Sequence, residues 1–379
     1  MFSFFKKPTQ SYAVFLSLTS SGATGALVET SSTIPSVIET YTEYIPVRKE
    51  MDTTTIAKNI ETSAERVLSK LTKGRPEIKY INSIHCVLSS PWVVTQTKTV
   101  ISNFDQPKEI NRNNILQIID HEKDGIQNSY SDIKFIEEKI CLTKVNGYEV
   151  ESINKVVAKS LEVSFIVSTT ATSISDALQN AAHATLPKVA IEYHSAILLE
   201  YSTLSRLYPD IKDCVFIDIH GEVTDVVALG GGVPRYTGSF PLGTREFIQT
   251  VARRLKVSHG IADSKLTLHA EESHDPLTSS KIQEAVTKTG DAWINHITES
   301  MREIGDTMIV PCKIMISADK YQSAFVTLVE KECKEGRLSN FCDIIEYSHD
   351  IFGRQISFVP ATREDGRLAA YILGVRDLI

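Results

Sequence analysis

One stretch of this chain decides its fold: residues 215–229, VFIDIHGEVTDVVAL, followed directly by Gly230-Gly231-Gly232. An apolar run leads into Asp218, a short polar turn follows, and a second apolar run leaves from Asp225. Apolar, β-prone runs on either side of a short polar turn are typical of a β-hairpin. The stretch therefore predicts a β-hairpin whose turn has the size of a phosphate-binding loop.

Length and composition set the class of protein. The chain has 379 residues, more than one hydrophobic core usually holds, so at least two lobes are expected. With 42% hydrophobic and 23% charged residues, it is composed like an ordinary globular protein. The net charge of −7 argues against a general nucleic-acid binder, because no large basic face is available to neutralise phosphates.

Other broad classes are also excluded by the sequence. No apolar run approaches the roughly 18 residues that a bilayer-spanning helix needs. The six cysteines form neither a CxxC pair nor a zinc-binding spacing, so they are interpreted as reduced thiols in a cytosolic compartment.

The order of predicted elements recurs along the chain. A hairpin over 12–30, a helix over 53–71 and a strand over 84–88 open the first part. In the second part, the diagnostic hairpin is followed by a long helix over 280–304 and a buried strand over 313–317. The same plan of hairpin, helix and strand therefore appears twice.

Three features resemble the actin-like ATPase superfamily, and within it the branch that holds the cell-division protein FtsA and the pilus assembly protein PilM. The hairpin runs on into residues 236–244, YTGSFPLGT, like the branch's second phosphate loop and its following Ile-Pro-x-Gly-Gly. Residues 262–265, ADSK, are similar to the Ala-Glu-x-x-Lys of a helix pair that closes the second lobe's small subdomain. Residues 96–168 look like an α+β module inserted in the first lobe, where this branch carries one.

The resemblance implies an α/β protein with the actin-like (RNase H-like) two-lobe fold and an inserted α+β module in the first lobe. The implied domains are 1–95 with 169–205 as the first-lobe core, 96–168 as the inserted module, 206–243 with 313–379 as the second-lobe core, and 244–312 as the second-lobe small subdomain.

Within the branch, the Phe-Lys-Lys segment before the first strand and the length of the chain resemble PilM more than FtsA. The resemblance implies a cytoplasmic scaffold at the inner face of the cytoplasmic membrane, acting in type IV pilus assembly. Its expected partners are a short cytoplasmic peptide of a bitopic, PilN-like inner-membrane protein and further copies of itself, with membrane association through the partner. The alternative is an FtsA-like, ATP-binding, membrane-associated filament or cell-division protein.

The superfamily binds ATP and Mg²⁺ through loops from which this chain departs. In the first phosphate loop, Ser17 and Thr19 stand where Asp and Gly of Asp-Ile-Gly-Ser-Ser are expected, and Ser20 and Ser21 complete the match. The missing aspartate is the residue that usually organises the water shell of Mg²⁺.

The other two loops also depart from the pattern. In the hairpin, His220 and Glu222 occupy positions where glycines would let backbone amides approach a phosphate. In the adenosine loop, Ser317-Ala318-Asp319 replaces Thr-Gly-Gly, so two side chains stand at positions of close backbone approach. The substitutions at the three loops together remove a catalytic charge, hinder the approach of the backbone to the phosphates and hinder its approach to the adenine base.

The matching positions remain the candidate nucleotide-binding residues. Asp218 and Glu192 resemble the carboxylates of the second loop and of the connecting segment, and are the candidate metal ligands. The candidate cofactor-binding residues are Thr19, Ser20, Ser21, Glu192, Asp218, Gly221, Thr224, Asp225 and Ser317.

The residues themselves also allow a second interpretation of the hairpin. Asp218, Thr224 and Asp225 are of the types that satisfy the backbone of a tight turn. His220 has no nucleophile spaced near it, so it is interpreted as a polar turn residue rather than as a catalytic base.

Two functions from different classes follow. The first is a scaffold whose nucleotide site has decayed, with no catalytic residue and no bound cofactor. The second is an ATPase or filament former in which the altered loops still close on ATP and Mg²⁺. The coincident losses favour the scaffold.

Overall fold

The computed structural model describes residues 11–45, 52–270, 276–338, 343–346, 349–360, 362 and 365–378. The chain divides into two compact units, Met1–Pro209 with His349–Ile379 and Asp210–Ser348, called here the first and second units.

The helices and strands of the chain up to residue 209 belong to the first unit. In chain order they are β1 (Tyr12–Leu18), β2 (Gly22–Glu29), β3 (Ser36–Tyr44), α1 (Thr53–Thr72), β4 (Ile81–Leu88), β5 (Val94–Ile110), α2 (Arg112–Ser129), β6 (Ile133–Val145), β7 (Tyr148–Glu149), β8 (Val156–Ala171), α3 (Thr172–Thr185), β9 (Ala190–Ser195) and α4 (Ala196–Leu207).

The elements of the second unit follow, and the chain then returns to the first. In order they are β10 (Cys214–Ile219), β11 (Thr224–Gly230), β12 (Val233–Phe240), α5 (Thr244–Leu255), α6 (His259–Ala270), α7 (Pro276–Thr307), β13 (Lys313–Ala318), α8 (Gln322–Glu335), β14 (Asp343–Glu346), β15 (Ser357–Phe358) and α9 (Gly366–Leu378).

The first unit is built on a six-stranded sheet in the order β15-β3-β2-β1-β4-β9. Strand β1 is central and every one of its residues is buried, as its continuous apolar sequence YAVFLSL requires. It pairs antiparallel with β2 and parallel with β4, which in turn pairs parallel with β9. Helices α1 and α3 contribute Val67, Leu68 and Leu178 to the core against this sheet.

The segment between β4 and α3 forms a four-stranded sheet of its own, in the order β5-β8-β6-β7. Strand β8 is its long central strand, antiparallel to both β5 and β6. Alternate residues of β8, Val163, Phe165 and Val167, share a core with Ile115 and Ile119 of α2. This is the α+β module that was predicted as an insertion.

The second unit repeats the plan with a five-stranded sheet in the order β12-β11-β10-β13-β14. Strands β10 and β11 form the predicted antiparallel hairpin, and β13 pairs parallel with β10. The core includes Trp293 and Ile297 on one face of α7, which agrees with the predicted spacing, together with Phe325 of α8.

The predicted domain boundaries are wrong for the end of the chain. Residues 313–379 were all assigned to the second-lobe core, but His349–Ile379 belong to the first unit. Strand β15 pairs with β3, and Ala370 of α9 accepts a hydrogen bond from Thr203 Oγ1 at 2.8 Å. A Cβ on Gly374 would lie 2.6 Å from the Leu199 carbonyl oxygen, so the absence of a side chain there lets α9 lie against α4.

Among the described residues, no helix combines the length and the apolar character needed to cross a membrane.

Candidate functional site

The diagnostic hairpin places acidic side chains opposite one another. Asp218 near the end of β10 and Asp225 near the start of β11 are directly paired in the antiparallel register. Both are almost completely buried. The turn between them is closed by a hydrogen bond from the His220 amide to the Val223 carbonyl at 2.8 Å.

The imidazole of His220 lies among three carboxylates of the second unit. Its Nε2 is 2.9 Å from Asp218 Oδ2 and 3.4 Å from Asp225 Oδ2, and its Nδ1 is 3.9 Å from Asp319 Oδ1. His220 is 0% exposed. Ionised carboxylates carry no proton to donate and favour the charged form of a neighbouring ring, whereas complete burial of the ring disfavours it. These four residues are called the aspartate–histidine cluster below.

Two further candidate residues, one on the hairpin and one on the neighbouring strand β13, are buried in the second unit. The Thr224 hydroxyl donates to the Leu242 carbonyl at 2.7 Å and accepts from Trp293 Nε1 at 3.0 Å. Ser317 on β13 is buried and lies beside Asp218 in the parallel register. Both residues therefore lie in the interior of the second unit.

Gly221 is covered by the start of α5. The Thr244 amide donates to the His220 carbonyl at 2.9 Å, and the Arg245 amide donates to the Gly221 carbonyl at 2.8 Å. A Cβ on Gly243 would lie 2.2 Å from the His220 oxygen, so only glycine allows this close approach. Glu222, the other substituted position of the turn, forms a 2.6 Å ion pair with Arg245.

The first-loop candidates form a closed turn after β1. The Thr19 amide donates to the Gly22 carbonyl at 2.9 Å, and the Ser21 amide donates to Thr19 Oγ1 at 3.1 Å. Trp92 Nε1 donates to the Thr19 carbonyl at 2.8 Å. Ser20 is buried at the tip of this turn. Local hydrogen bonds of this kind stabilise a tight turn without a ligand.

Glu192 lies on β9 beside two histidines that the sequence did not single out. His85 on β4 is its partner in the parallel register, and His194 is two residues further along β9. His85 Nδ1 is 3.5 Å from Glu192 Oε2 and 3.2 Å from His194 Nε2. These three residues are called the paired-histidine cluster.

In the paired-histidine cluster, the ring nitrogens that face away from the other histidine contact two neighbouring side chains. Ser83 Oγ is 2.8 Å from His85 Nε2, and Glu137 Oε1 of the inserted module is 3.3 Å from His194 Nδ1. Glu137 in turn accepts hydrogen bonds from the Ser195 amide at 3.0 Å and from Ser195 Oγ at 2.9 Å. Burial, and to a lesser extent the neighbouring His194, lowers the pKa of His85 to about 4, so its ring is neutral near pH 7.

The candidate residues thus fall into two groups. Asp218, Gly221, Thr224, Asp225 and Ser317 come together at one end of the second unit's sheet. Thr19, Ser20, Ser21 and Glu192 belong to the first unit, where the serines and threonine lie in the turn after β1 and Glu192 lies on β9.

The hairpin does not fit the phosphate-bound Mg²⁺ that the resemblance implies. Mg²⁺ requires oxygen ligands in near-octahedral geometry and keeps several waters. Asp218 and Asp225 instead face the fully buried ring of His220. A histidine side chain therefore fills the space between the carboxylates that would have to reach the metal or its waters.

Several solved protein structures are similar to this chain. A chain of a PilM–PilN type IV pilus biogenesis complex is similar to this one with a TM-score of 0.66 and 15% sequence identity, covering 97% of this chain and 98% of that chain. This chain has the actin-like ATPase fold. The fold class predicted from the hairpin and its flanking segments is therefore confirmed.

Weaker similarities to the actin-like fold were also found. The ethanolamine utilization protein EutJ from Carboxydothermus hydrogenoformans has a TM-score of 0.44 and 12% identity, covering 88% of this chain and 84% of that chain. A protein from Bacteroides thetaiotaomicron, with an actin-like ATPase fold and unknown function, has a TM-score of 0.41 and 10% identity, covering 98% and 99%. No protein-family model matches the sequence, and no curated protein does.

Proposed function

We propose that this chain is an actin-like scaffold of PilM type, acting in type IV pilus assembly, whose nucleotide site has decayed. It works by binding the short cytoplasmic peptide of a PilN-like, membrane-anchored partner. The similarity to a chain of the PilM–PilN complex supports this proposal, because it extends over 97% of this chain and includes the inserted module.

The aspartate–histidine cluster is the observation that supports the proposed loss of nucleotide binding. His220 is 0% exposed and lies 2.9 Å from Asp218 and 3.4 Å from Asp225. In this proposal, a protonated His220 ring takes the place of the positive charge that Mg²⁺ would bring to these carboxylates. At the same turn, the side chain of Glu222 stands where a glycine would let backbone amides approach a phosphate, and it is held there by its ion pair with Arg245.

The proposed place of action is the cytoplasmic face of the inner membrane. The chain is held there through its partner and works together with further copies of itself. Recognition of an extended peptide uses main-chain hydrogen bonds and apolar pockets, and requires no chemistry.

Titration calorimetry with Mg²⁺-ATP and with ADP tests the decayed site. We expect no heat of binding up to millimolar nucleotide. Micromolar binding would overturn this part of the proposal and favour the FtsA-like, ATP-binding alternative. The Ser17→Asp variant should also show no ATPase activity, because the restored first-loop carboxylate leaves the His220 ring in place.

Peptide docking is tested separately with the full chain. The probe is a labelled synthetic peptide that copies the cytoplasmic N-terminus of the PilN-like protein from the same organism, and the control is the same peptide scrambled. We expect saturable binding of the native peptide alone, unchanged by ATP. Equal binding of both peptides, or of neither, would contradict the proposed scaffold role.

A further inference from the structure

The paired-histidine cluster brings three metal-ligating side chains to one place on the first unit's sheet. His85 and Glu192 are opposite each other in the parallel register of β4 and β9, and His194 follows Glu192 by two residues. In a strand, residues two apart project from the same face. One ligand atom from each of the three side chains lies within 4.8 Å of the others.

The spacing of these atoms is that of a coordination shell. Zinc binds imidazole nitrogen at about 2.0–2.1 Å, and in tetrahedral geometry neighbouring ligand atoms then lie about 3.4 Å apart. The observed separations are 3.2 Å between His85 Nδ1 and His194 Nε2, and 3.5 Å between His85 Nδ1 and Glu192 Oε2. Little movement of the side chains is needed to surround an ion.

Hydrogen bonds from neighbouring side chains can leave the two facing ring nitrogens, His85 Nδ1 and His194 Nε2, with free lone pairs. A carboxylate accepts hydrogen bonds, so Glu137 holds the proton of His194 on Nδ1 and leaves the lone pair of Nε2 facing His85. Ser83 Oγ can accept from Nε2 of His85, which leaves the lone pair of Nδ1 facing His194. Outer hydrogen bonds of this type orient the histidine ligands of protein-bound metals. With no cation, Ser83 can instead donate to His85 Nε2, and the His85 proton on Nδ1 then bridges the two facing nitrogens.

Burial and access also suit a metal site. His85 and His194 are buried, whereas the side chain of Glu192 is 51% exposed. An ion can therefore enter from the Glu192 side, and a water molecule can complete the shell there.

We propose that His85, Glu192 and His194 bind one divalent transition-metal ion of the zinc class, with Glu137 and Ser83 as positioning residues. Two imidazoles and one carboxylate form a ligand set that zinc uses with water in the fourth position. The site lies wholly within the first unit and does not depend on nucleotide binding by the hairpin.

Cobalt and zinc binding to the full chain test the site. The protein is stripped with a chelator, dialysed and titrated with Co²⁺, and visible absorption reports the coordination geometry; Zn²⁺ affinity is measured against a chromophoric chelator. We expect one equivalent of Co²⁺ with a tetrahedral spectrum, displaced by Zn²⁺. Glu137→Gln should weaken Zn²⁺ binding about 10–100-fold by loosening the His194 ligand.

Three variants separate the proposed site from adventitious binding. Glu192→Gln removes a half-exposed ligand and is expected to leave the fold intact, and His194→Gln removes a buried one. Both should lose the tetrahedral Co²⁺ spectrum, while His121→Gln, which removes an exposed histidine of α2, should keep it. Absence of saturable Co²⁺ binding to the unaltered chain, or a spectrum unchanged in Glu192→Gln, would overturn the proposal.

Discussion

The two units each contain a histidine-centred polar cluster, and the two clusters differ in the number of carboxylates for each imidazole ring. The aspartate–histidine cluster of the second unit surrounds one ring with three carboxylates. In the paired-histidine cluster of the first unit, His85 Nδ1 and His194 Nε2 are 3.2 Å apart. Glu192 lies beside His85, and Glu137 lies on the outer side of His194. The first arrangement places three carboxylates around one ring, and in the second two ring nitrogens face each other.

The comparison shows how the same residue type leads to opposite roles in one chain. In the second unit, the His220 ring lies between carboxylates, at the place where the proposal excludes a metal. In the first unit, the ring nitrogens are ligands that a cation would stabilise. What differs is the number of carboxylates near each ring, three at His220 and one each at His85 and His194. Each carboxylate favours the protonated form of a neighbouring imidazole.

The largest effect is expected from His220→Ala. Removing one partner of a buried ion pair leaves uncompensated charge and costs about 3–5 kcal/mol of unfolding free energy. The chain has two tryptophans, Trp92 in the first unit and Trp293 in the second. Urea unfolding followed by Trp293 fluorescence, in a Trp92→Phe background, therefore reports the second unit. A loss below about 1 kcal/mol would mean that the carboxylates are not charged partners of this ring.

A smaller effect is expected from Glu137→Gln in the first unit. The substitution removes the charge of the carboxylate that accepts hydrogen bonds from the Ser195 amide, Ser195 Oγ and His194 Nδ1. Since a hydrogen bond to a charged group contributes about 1.5–3 kcal/mol, we expect a loss of that size in the free energy of unfolding. Unfolding is followed by Trp92 fluorescence in a Trp293→Phe background. The control is Glu138→Gln, whose exposed ion pair with Lys123 should matter little. Equal losses in both variants would argue against a special role for Glu137.

Ser83→Ala is expected to cost about 1 kcal/mol, since it removes one neutral hydrogen bond to His85. The same Trp92 signal measures it. Ser83→Thr keeps the hydroxyl and should retain most of the unfolding free energy. If Thr and Ala were equally destabilising, the loss would come from packing and not from the hydrogen bond.

The smallest effect is expected from Glu222→Gln. Its ion pair with Arg245 is 2.6 Å long but the Glu222 side chain is 41% exposed, so the loss should be about 0–1 kcal/mol. Trp293 fluorescence measures it alongside His220→Ala. A loss as large as that of His220→Ala would remove the distinction between the buried cluster and the exposed turn.

Much of the fold followed from local patterns. The hairpin of β10 and β11 was predicted because its apolar runs flank a short polar turn, and the register places Asp218 opposite Asp225. The end of the chain was predicted wrongly. Its assignment depends on β15 pairing with β3 and on α9 packing against α4, contacts that join residues more than 100 positions apart.

The sequence by itself determined the two-lobe α/β plan and the substituted turn positions His220 and Glu222, because hydrophobic periodicity and turn residues act over short stretches of chain. It did not identify His85, Glu137 and His194 as neighbours. His85 and His194 are 109 residues apart and meet only because β4 and β9 are adjacent in the sheet. The tertiary structure also decided that His220 lies between carboxylates, since the third one, Asp319, arrives on the segment after β13.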